Sequence, residues 1–315
     1  MAKAASKKKT VSRGSATTGS RAGAKPSAVA KPSAVAKKSP AGGKSTRTKL
    51  AELADKHALY ERAVQAPKID CSFFRSTFKA LRGREALVLR EDFCGTGNLC
   101  ATWLRGGKER RAIGIDLDGP TIEWGKIRHF KGAVAQRMQF VQGDVCDVHD
   151  TKADVTAALN FSFCVFKTRP QMLRYFQATR RGLAADGILV LEMYGGHEAA
   201  QEISEEREID GGEYTYCWEQ EWFNPLDHTT RCHISFRFPD KSRLDRAFTY
   251  DWRVWTLPEL RELLLEAGFR KVRFFWEDMI DDPDDPDEYV SSGRFVEITK
   301  VENQDSWLAY VVAER

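Results

Sequence analysis

The first 49 residues contain no acidic and no aromatic side chain. Such a segment cannot bury enough apolar surface to offset the entropy lost on ordering. Residues 1–48 are therefore expected to form a disordered basic tail ahead of a folded domain spanning residues 49–315. The seven cysteines form no Cys-x-x-Cys pair and no metal-ligand spacing with His. That excludes a zinc-finger or disulfide-framework reading, and no metal is expected. Several of these cysteines lie inside apolar runs, where they act as small hydrophobes. No stretch nears the ~20 apolar residues of a membrane span, and the N-terminus lacks the apolar segment of a secretory signal. A soluble, cytoplasmic protein with no membrane contact is expected.

What is present is unevenly charged. Thirteen of the 49 Lys and Arg lie in residues 1–49, so the remaining 36 face all 45 Asp and Glu. The folded part is acidic, whereas a nucleic-acid enzyme carries its basic footprint on the domain itself. The tail repeats Ala-Lys-Pro-Ser-Ala-Val over residues 24–35. It reads as a solubilising extension or an arm making weak nucleic-acid contact. An organelle transit peptide is the other alternative, although Lys dominates over Arg and no amphipathic period is visible.

From Leu50 a spacing of three to four predicts a helix running to Pro67, and Phe73, Phe74 and Phe78 predict another over about Cys71–Leu81. His57 and His129 read as helix-surface residues. A βα rhythm follows, with strands at Ala86–Arg90, Arg111–Asp116, Met138–Gln142, Asp154–Leu159 and Gly187–Tyr194. Helices are expected after Gly97, from near Pro120, and over Arg169–Leu183. This alternation predicts a mostly parallel sheet covered on both faces. Over about residues 197–255 the period becomes two, in three runs ending at Trp222, Phe238 and Val254. They predict an inserted three-stranded antiparallel sheet. Its Trp218, Trp222, Tyr250 and Trp252 are either core or the wall of a pocket facing a substrate or a cationic amine. A helix at Pro258–Gly268 and strands at Lys271–Trp276 and Trp307–Ala313 complete the pattern. The acidic run Glu277–Glu288 reads as a solvated loop, with docking of the basic tail as the alternative.

The chemistry is concentrated in Val88–Leu99, VLREDFCGTGNL. A glycine-rich turn after a first strand lets backbone N–H groups approach a ligand at the next helix N-terminus. A dinucleotide fingerprint needs a third glycine where Cys100 stands, and a P-loop needs Gly-Lys-Ser/Thr, which is absent. What remains is an acid, a short gap and Gly95-x-Gly97. The segment resembles the first motif of the class I S-adenosylmethionine-dependent methyltransferase family. Glu91 takes the acid position, Gly95 and Gly97 the last two glycines, and Phe93 stands where the family usually has its first.

The resemblance extends over roughly Leu50–Arg315. Asp116 ends the second strand, where the family's acid accepts from the ribose hydroxyls, with Leu117 beside it. Asp144, in Gln-Gly-Asp, matches the contact to the adenine amino group, and Val145 flanks the ring. Asn160-Phe161-Ser162-Phe163 closes the fourth strand, where the methionine moiety is lined, and Tyr60 in the first helix joins the cofactor set. The family implies an α/β, Rossmann-like sheet of seven strands, mostly parallel, with a reversed terminal hairpin, plus the antiparallel insert.

The implied activity is transfer of a methyl group from S-adenosylmethionine to N or O of a small molecule. An Asn/Asp-Pro-Pro-aromatic stretch, usual for exocyclic base nitrogens, is missing after Asn160. The alternatives are a tail-guided RNA or protein methyltransferase and a non-catalytic S-adenosylmethionine-binding protein. Such a displacement demands alignment more than a fixed catalytic group. Where a base is needed, Tyr194 and His197 after the fifth strand lead the candidates, followed by His233 and Asp251 in the insert.

Overall fold

The computed structural model describes residues 48–148, 150–281 and 289–315. Apart from Thr48, the expected basic tail lies outside the described residues, as does the 282–288 part of the acidic run.

The expected first helix is two. Asp55 interrupts it, accepting from His57 N at 3.0 Å and Ala58 N at 3.2 Å. An N-cap satisfies orphan amides and starts a new helix, so α1 (Leu50–Leu53) gives way to α2 (Lys56–Ala63). Next comes α3 (Pro67–Arg82), with Pro at its first turn and Gly83 ending it at φ 69°. Its buried Phe74 and Phe78 pack with Trp103 and Leu104, each phenyl contributing ~1.5–3 kcal/mol by burial.

The alternating unit then runs β1 (Val88–Asp92), α4 (Asn98–Arg105), β2 (Arg111–Asp116), α5 (Gly119–His129), β3 (Met138–Gln142), β4 (Ala153–Ala158), α6 (Arg169–Gly182) and β5 (Leu183–Gly195). Every residue of β4 is buried, as befits a central strand covered on both faces. A capping box between Thr168 and Gln171 opens α6.

A separate antiparallel sheet follows: β6 (Ile203–Ile209), β7 (Tyr214–Phe223), β8 (Thr229–Arg237) and β9 (Arg243–Arg253). It has four strands in sequence order rather than the three expected. The chain returns through α7 (Leu257–Glu266) to β10 (Lys271–Asp281), β11 (Tyr289–Ile298) and β12 (Trp307–Glu314). The main sheet has eight strands, not seven, in the order β11-β10-β12-β5-β4-β1-β2-β3. Pairing is parallel from β3 to β5 and antiparallel for the last three. The extra strand arises because Glu277–Asp281, expected as loop, continues β10. Glu277 pairs with Phe295 in register, and Asp278 accepts from Ser292 at 3.1 Å and Arg294 at 3.0 Å. Among the described residues no helix is long and apolar enough to cross a membrane.

Connections reverse direction between β1 and β4, which makes the C-terminal ends of these strands the switch point where open α/β sheets bind ligands. A buried ion pair supports that edge. Arg90 and Asp92 are both fully buried and 2.7 Å apart. Arg90 also donates to the carbonyls of Val145 at 2.9 Å and Val148 at 2.7 Å, and Tyr175 donates to Asp92 at 3.0 Å. Removing one member of such a pair leaves the other charge buried and alone. Arg90→Leu should therefore lower stability by ~3–5 kcal/mol, read from the urea midpoint; a loss below ~1 kcal/mol would show that the pair is not structural.

Candidate active site

The turn after β1 passes through Phe93, Gly95 and Gly97 at φ 58°, 51° and 71°. At Gly97 a Cβ would stand 3.0 Å from the Phe140 ring and 3.2 Å from that of Phe130. Handedness and space both demand glycine there. Phe93 takes the same left-handed conformation at a cost of ~1–2 kcal/mol, held by ring contacts at 5.9 Å to Phe166 and Tyr175. The residue that replaces the expected glycine thus follows a glycine-like path.

Two carboxylates organise this turn. Asp116, at the tip of β2, accepts from Gly95 N at 2.7 Å and from Asp118 N at 2.9 Å. Glu91 is buried beneath the turn and accepts from Cys100 N at 3.3 Å in the first turn of α4. Burial pushes its pKa up to about 8, and the charges of Asp70 and Asp116 add to the rise. Across the edge, Asp144 accepts from Cys146 N at 2.8 Å, and Val145 is buried on the carbonyl held by Arg90.

α2 lies over the turn, and three side chains on it and its flanks fasten it to the turn, α4 and α5. Glu61 accepts from the Thr96 hydroxyl and pairs with His129 Nε2 at 2.7 Å. Asp55 accepts from Trp124 Nε1 at 2.7 Å, and Asn98 donates to Gln65 at 2.9 Å. The opposite side of α2 packs on the second sheet through Leu59 and Ala63. Tyr214 donates to the Leu59 carbonyl at 3.0 Å.

Between α2, the ends of β4 and β5 and the inner face of the second sheet is a cavity of about 470 Å³. Tyr60, Phe161, Tyr194, Trp218, Tyr250 and Trp252 form most of its aromatic wall, and Glu192, Glu198 and Glu205 bring carboxyl groups to it. Tyr60 lines the cavity, while its neighbour Glu61 accepts from Thr96 in the glycine turn, so this stretch of α2 stands between the turn and the cavity. Asn160 lines the cavity too, its backbone N–H donating to Glu192 at 2.6 Å.

Residues 93–187 match the model of the methyltransferase domain family. The protein is 25% identical to YqeM of Bacillus subtilis (strain 168), itself named only as a candidate methyltransferase, over 57% of this chain and 72% of that one. Its fold is similar to that of an S-adenosylmethionine-dependent methyltransferase from Clostridium acetobutylicum ATCC 824, with a TM-score of 0.58, 15% identity, and coverage of 82% and 96% of the two chains. Residues 93–187 thus match a methyltransferase domain, set in the fold of an S-adenosylmethionine-dependent methyltransferase. CalS10, an amino pentose methyltransferase from Micromonospora echinaspora, has a similar fold at a TM-score of 0.57 and 14% identity, covering 87% and 100%. So does the sugar N-methyltransferase KedS8 from Streptoalloteichus sp ATCC 53650, at 0.55 and 15%, covering 90% and 99%.

The fold brings Glu91, Phe93, Gly95, Gly97 and Asp116 together around one turn. Leu117 is exposed on the open side of Asp116, and Asp144 and Val145 share the same sheet edge. Tyr60, Asn160 and Tyr194 line the cavity, but His197 does not. Its half-exposed ring pairs with Asp305 at 3.3 Å, and with Glu198 these side chains bring donor atoms within 4.8 Å of one another.

Four readings of the sequence are corrected. His129 and His57 do not sit on the helix surface. The first is paired with Glu61, and the second packs 5.3 Å from Trp124 and 5.9 Å from Phe248. Trp222 does not cap the pocket. A bulge between Gln220 and Trp222 shifts the register and sets Trp222 opposite Arg231, because an extra residue reverses side-chain alternation. His233 and Asp251 face away from the cavity as well, held by Thr249 at 2.9 Å and Arg231 at 2.8 Å.

Sequence reasoning missed Glu61, Glu192 and Glu205. The signal for Glu192 was a lone carboxylate inside Ile188–Tyr194, an otherwise apolar run on a buried strand. Such a group must be partnered or line a site.

Glu91 yields a pH test. A carboxyl that holds its proton more tightly when folded makes stability fall as pH rises from its unfolded value, near 4.5, through about 8. Glu91→Gln removes that slope, so urea unfolding of the variant should be flatter across this window and more stable above it. An unchanged slope would contradict the placement of Glu91.

Proposed function

We propose that this methyltransferase moves the methyl group of S-adenosylmethionine to a nitrogen or oxygen of a small molecule held in the aromatic cavity. The observation that carries the proposal is the junction at Tyr60. Tyr60 borders the acceptor-sized cavity, and Glu61 beside it is bonded to Thr96 of the glycine turn. Ligand pockets usually measure ~300–1,000 Å³, and about 470 Å³ falls in that range.

The residues present fit the cofactor. The left-handed path at Gly95 and Gly97 leaves backbone approachable, and Asp116 and Asp144 stand at adjacent strand tips. In this reading Asp116 holds the ribose hydroxyls, Asp144 the adenine amino group, and Leu117 and Val145 flank the ring. Glu91, Phe93, Gly95, Gly97, Asn160 and Tyr60 surround the methionyl portion. The bound cofactor supplies a methyl group already activated on a sulfonium.

The protein's own work is alignment and water exclusion, which can account for ~7–11 kcal/mol of barrier. Tyr194 touches the cavity, and its buried hydroxyl has no hydrogen-bond partner among the described residues. Burial, reinforced by the Cys232 and Cys164 thiols, holds its pKa well above the ordinary value. We assign it the positioning of the acceptor as a neutral hydroxyl, and no step to His197.

Two measurements check this reading. Asp116→Ala should weaken S-adenosylhomocysteine binding by about tenfold or more in calorimetry, as expected for losing hydrogen bonds to a charged group; unchanged affinity would remove Asp116 from the site. With labelled cofactor and a metabolite extract, the label should enter small molecules equally well with and without residues 1–48. Label appearing in RNA or protein, and lost with the tail, would favour a tail-guided enzyme instead. Cofactor binding with no label in either fraction would favour a non-catalytic binding protein.

A further inference from the structure

Among the described residues that line the cavity, Glu192, Glu198, Glu205 and Glu206 face one cation, Arg207, and Glu205 is where the imbalance is clearest. Along β6, Ile203, Glu205 and Arg207 alternate with the exposed Ser204, Glu206 and Glu208. Glu206 turns outward to pair with Arg237 at 2.6 Å. Arg207 also lines the cavity, but its guanidinium is engaged, donating to the Ala63 carbonyl of α2 and lying 5.6 Å over the Tyr216 ring. Glu205 is half-buried and makes no hydrogen bond or ion pair among the described residues. Burial, and then the charge of Glu198 on the same cavity wall, push its pKa up. Like charges facing one cavity, one of them without a partner, are unfavourable until a cation enters.

The neighbouring surface suits that cation. Glu205 sits opposite Trp218 in the β6–β7 register. The Trp218 ring lies 6.1 Å from Trp252, which stacks on Tyr250 at 4.4 Å. The indole Nε1 of Trp252 is buried and has no acceptor among the described residues. Aromatic faces attract a desolvated ammonium through their quadrupole, and the free indole N–H suits an acceptor atom on the same ligand. The Phe161 ring lies a further 6.2 Å beyond Trp252, next to Asn160. A ligand held by its cation at β6 therefore extends along the stack toward the cofactor end.

We infer that the acceptor molecule carries a protonated amine, a group other than the atom that receives the methyl, with its ammonium seated between Glu205 and Glu198 against the faces of Trp218 and Trp252. This rests on the reading that the cavity holds the acceptor, and it names the chemical class that the cavity selects.

The test uses the full chain and three matched probes: cyclohexylammonium, cyclohexanol and cyclohexanecarboxylate. Tryptophan fluorescence reads their binding without any cofactor, and calorimetry with S-adenosylhomocysteine is run separately on the same preparations. The ammonium probe should bind at least about tenfold more tightly than the alcohol, and the carboxylate should bind most weakly. Glu205→Gln should abolish the preference for the ammonium while leaving S-adenosylhomocysteine affinity unchanged. Equal affinity for amine and alcohol, or a preference that survives Glu205→Gln, overturns the inference and leaves methyl transfer standing. Loss of nucleoside binding in the parent protein would strike the methyl-transfer reading alone, because the probes report the cavity directly.

Discussion

The carboxylate of Glu61 holds the two halves of the site together. It accepts from Thr96 in the glycine turn and pairs with His129 at the end of α5, so α2 is fixed over the cleft by a charged, partly buried joint. One residue earlier, Tyr60 turns the other way into the cavity. Asp55 and Gln65 fasten the ends of the same segment to Trp124 and Asn98. A helix this short has little stability of its own. Its position depends on these contacts and on packing against the second sheet, and the aromatic wall depends on its position.

Strain and burial on the other side of the cleft follow the same logic. The left-handed backbone at Phe93 and the buried carboxyl of Glu91 are each unfavourable alone. The surrounding core over-determines both, which is how such features persist at functional sites. Arg90 links this region to the Asp144 loop by donating to two of its carbonyls. The Asp144 loop is thus held by the same strand that leads into the glycine turn.

Most of the main sheet was legible because its central strands are buried on both faces and read as continuous apolar text. The glycine turn was legible because backbone geometry restricts which residues fit there, and Asp116 and Asp144 were singled out through the resemblance. What escaped had physical reasons. β6 shows no apolar alternation because Glu205 and Arg207 face a cavity rather than a core. The acidic start of the β10–β11 link hid the extension of β10, whose charges are met by Ser292 and Arg294 across the hairpin. A one-residue bulge reversed the face of Trp222, and no periodicity argument registers a bulge. The break at Asp55 was hidden by apolar spacing that continues on either side of it. Glu192 was hidden by the apolar strand around it.

Methyl transfer to a molecule in the aromatic cavity requires the cleft at the glycine turn to open into that cavity beside Tyr60. A crystal structure with S-adenosylhomocysteine bound measures this directly. The nucleoside is expected on Asp116 and Asp144, with its sulfur beside Tyr60 and Asn160 facing the cavity. A nucleoside bound elsewhere, or a sulfur walled off from the cavity, would contradict it.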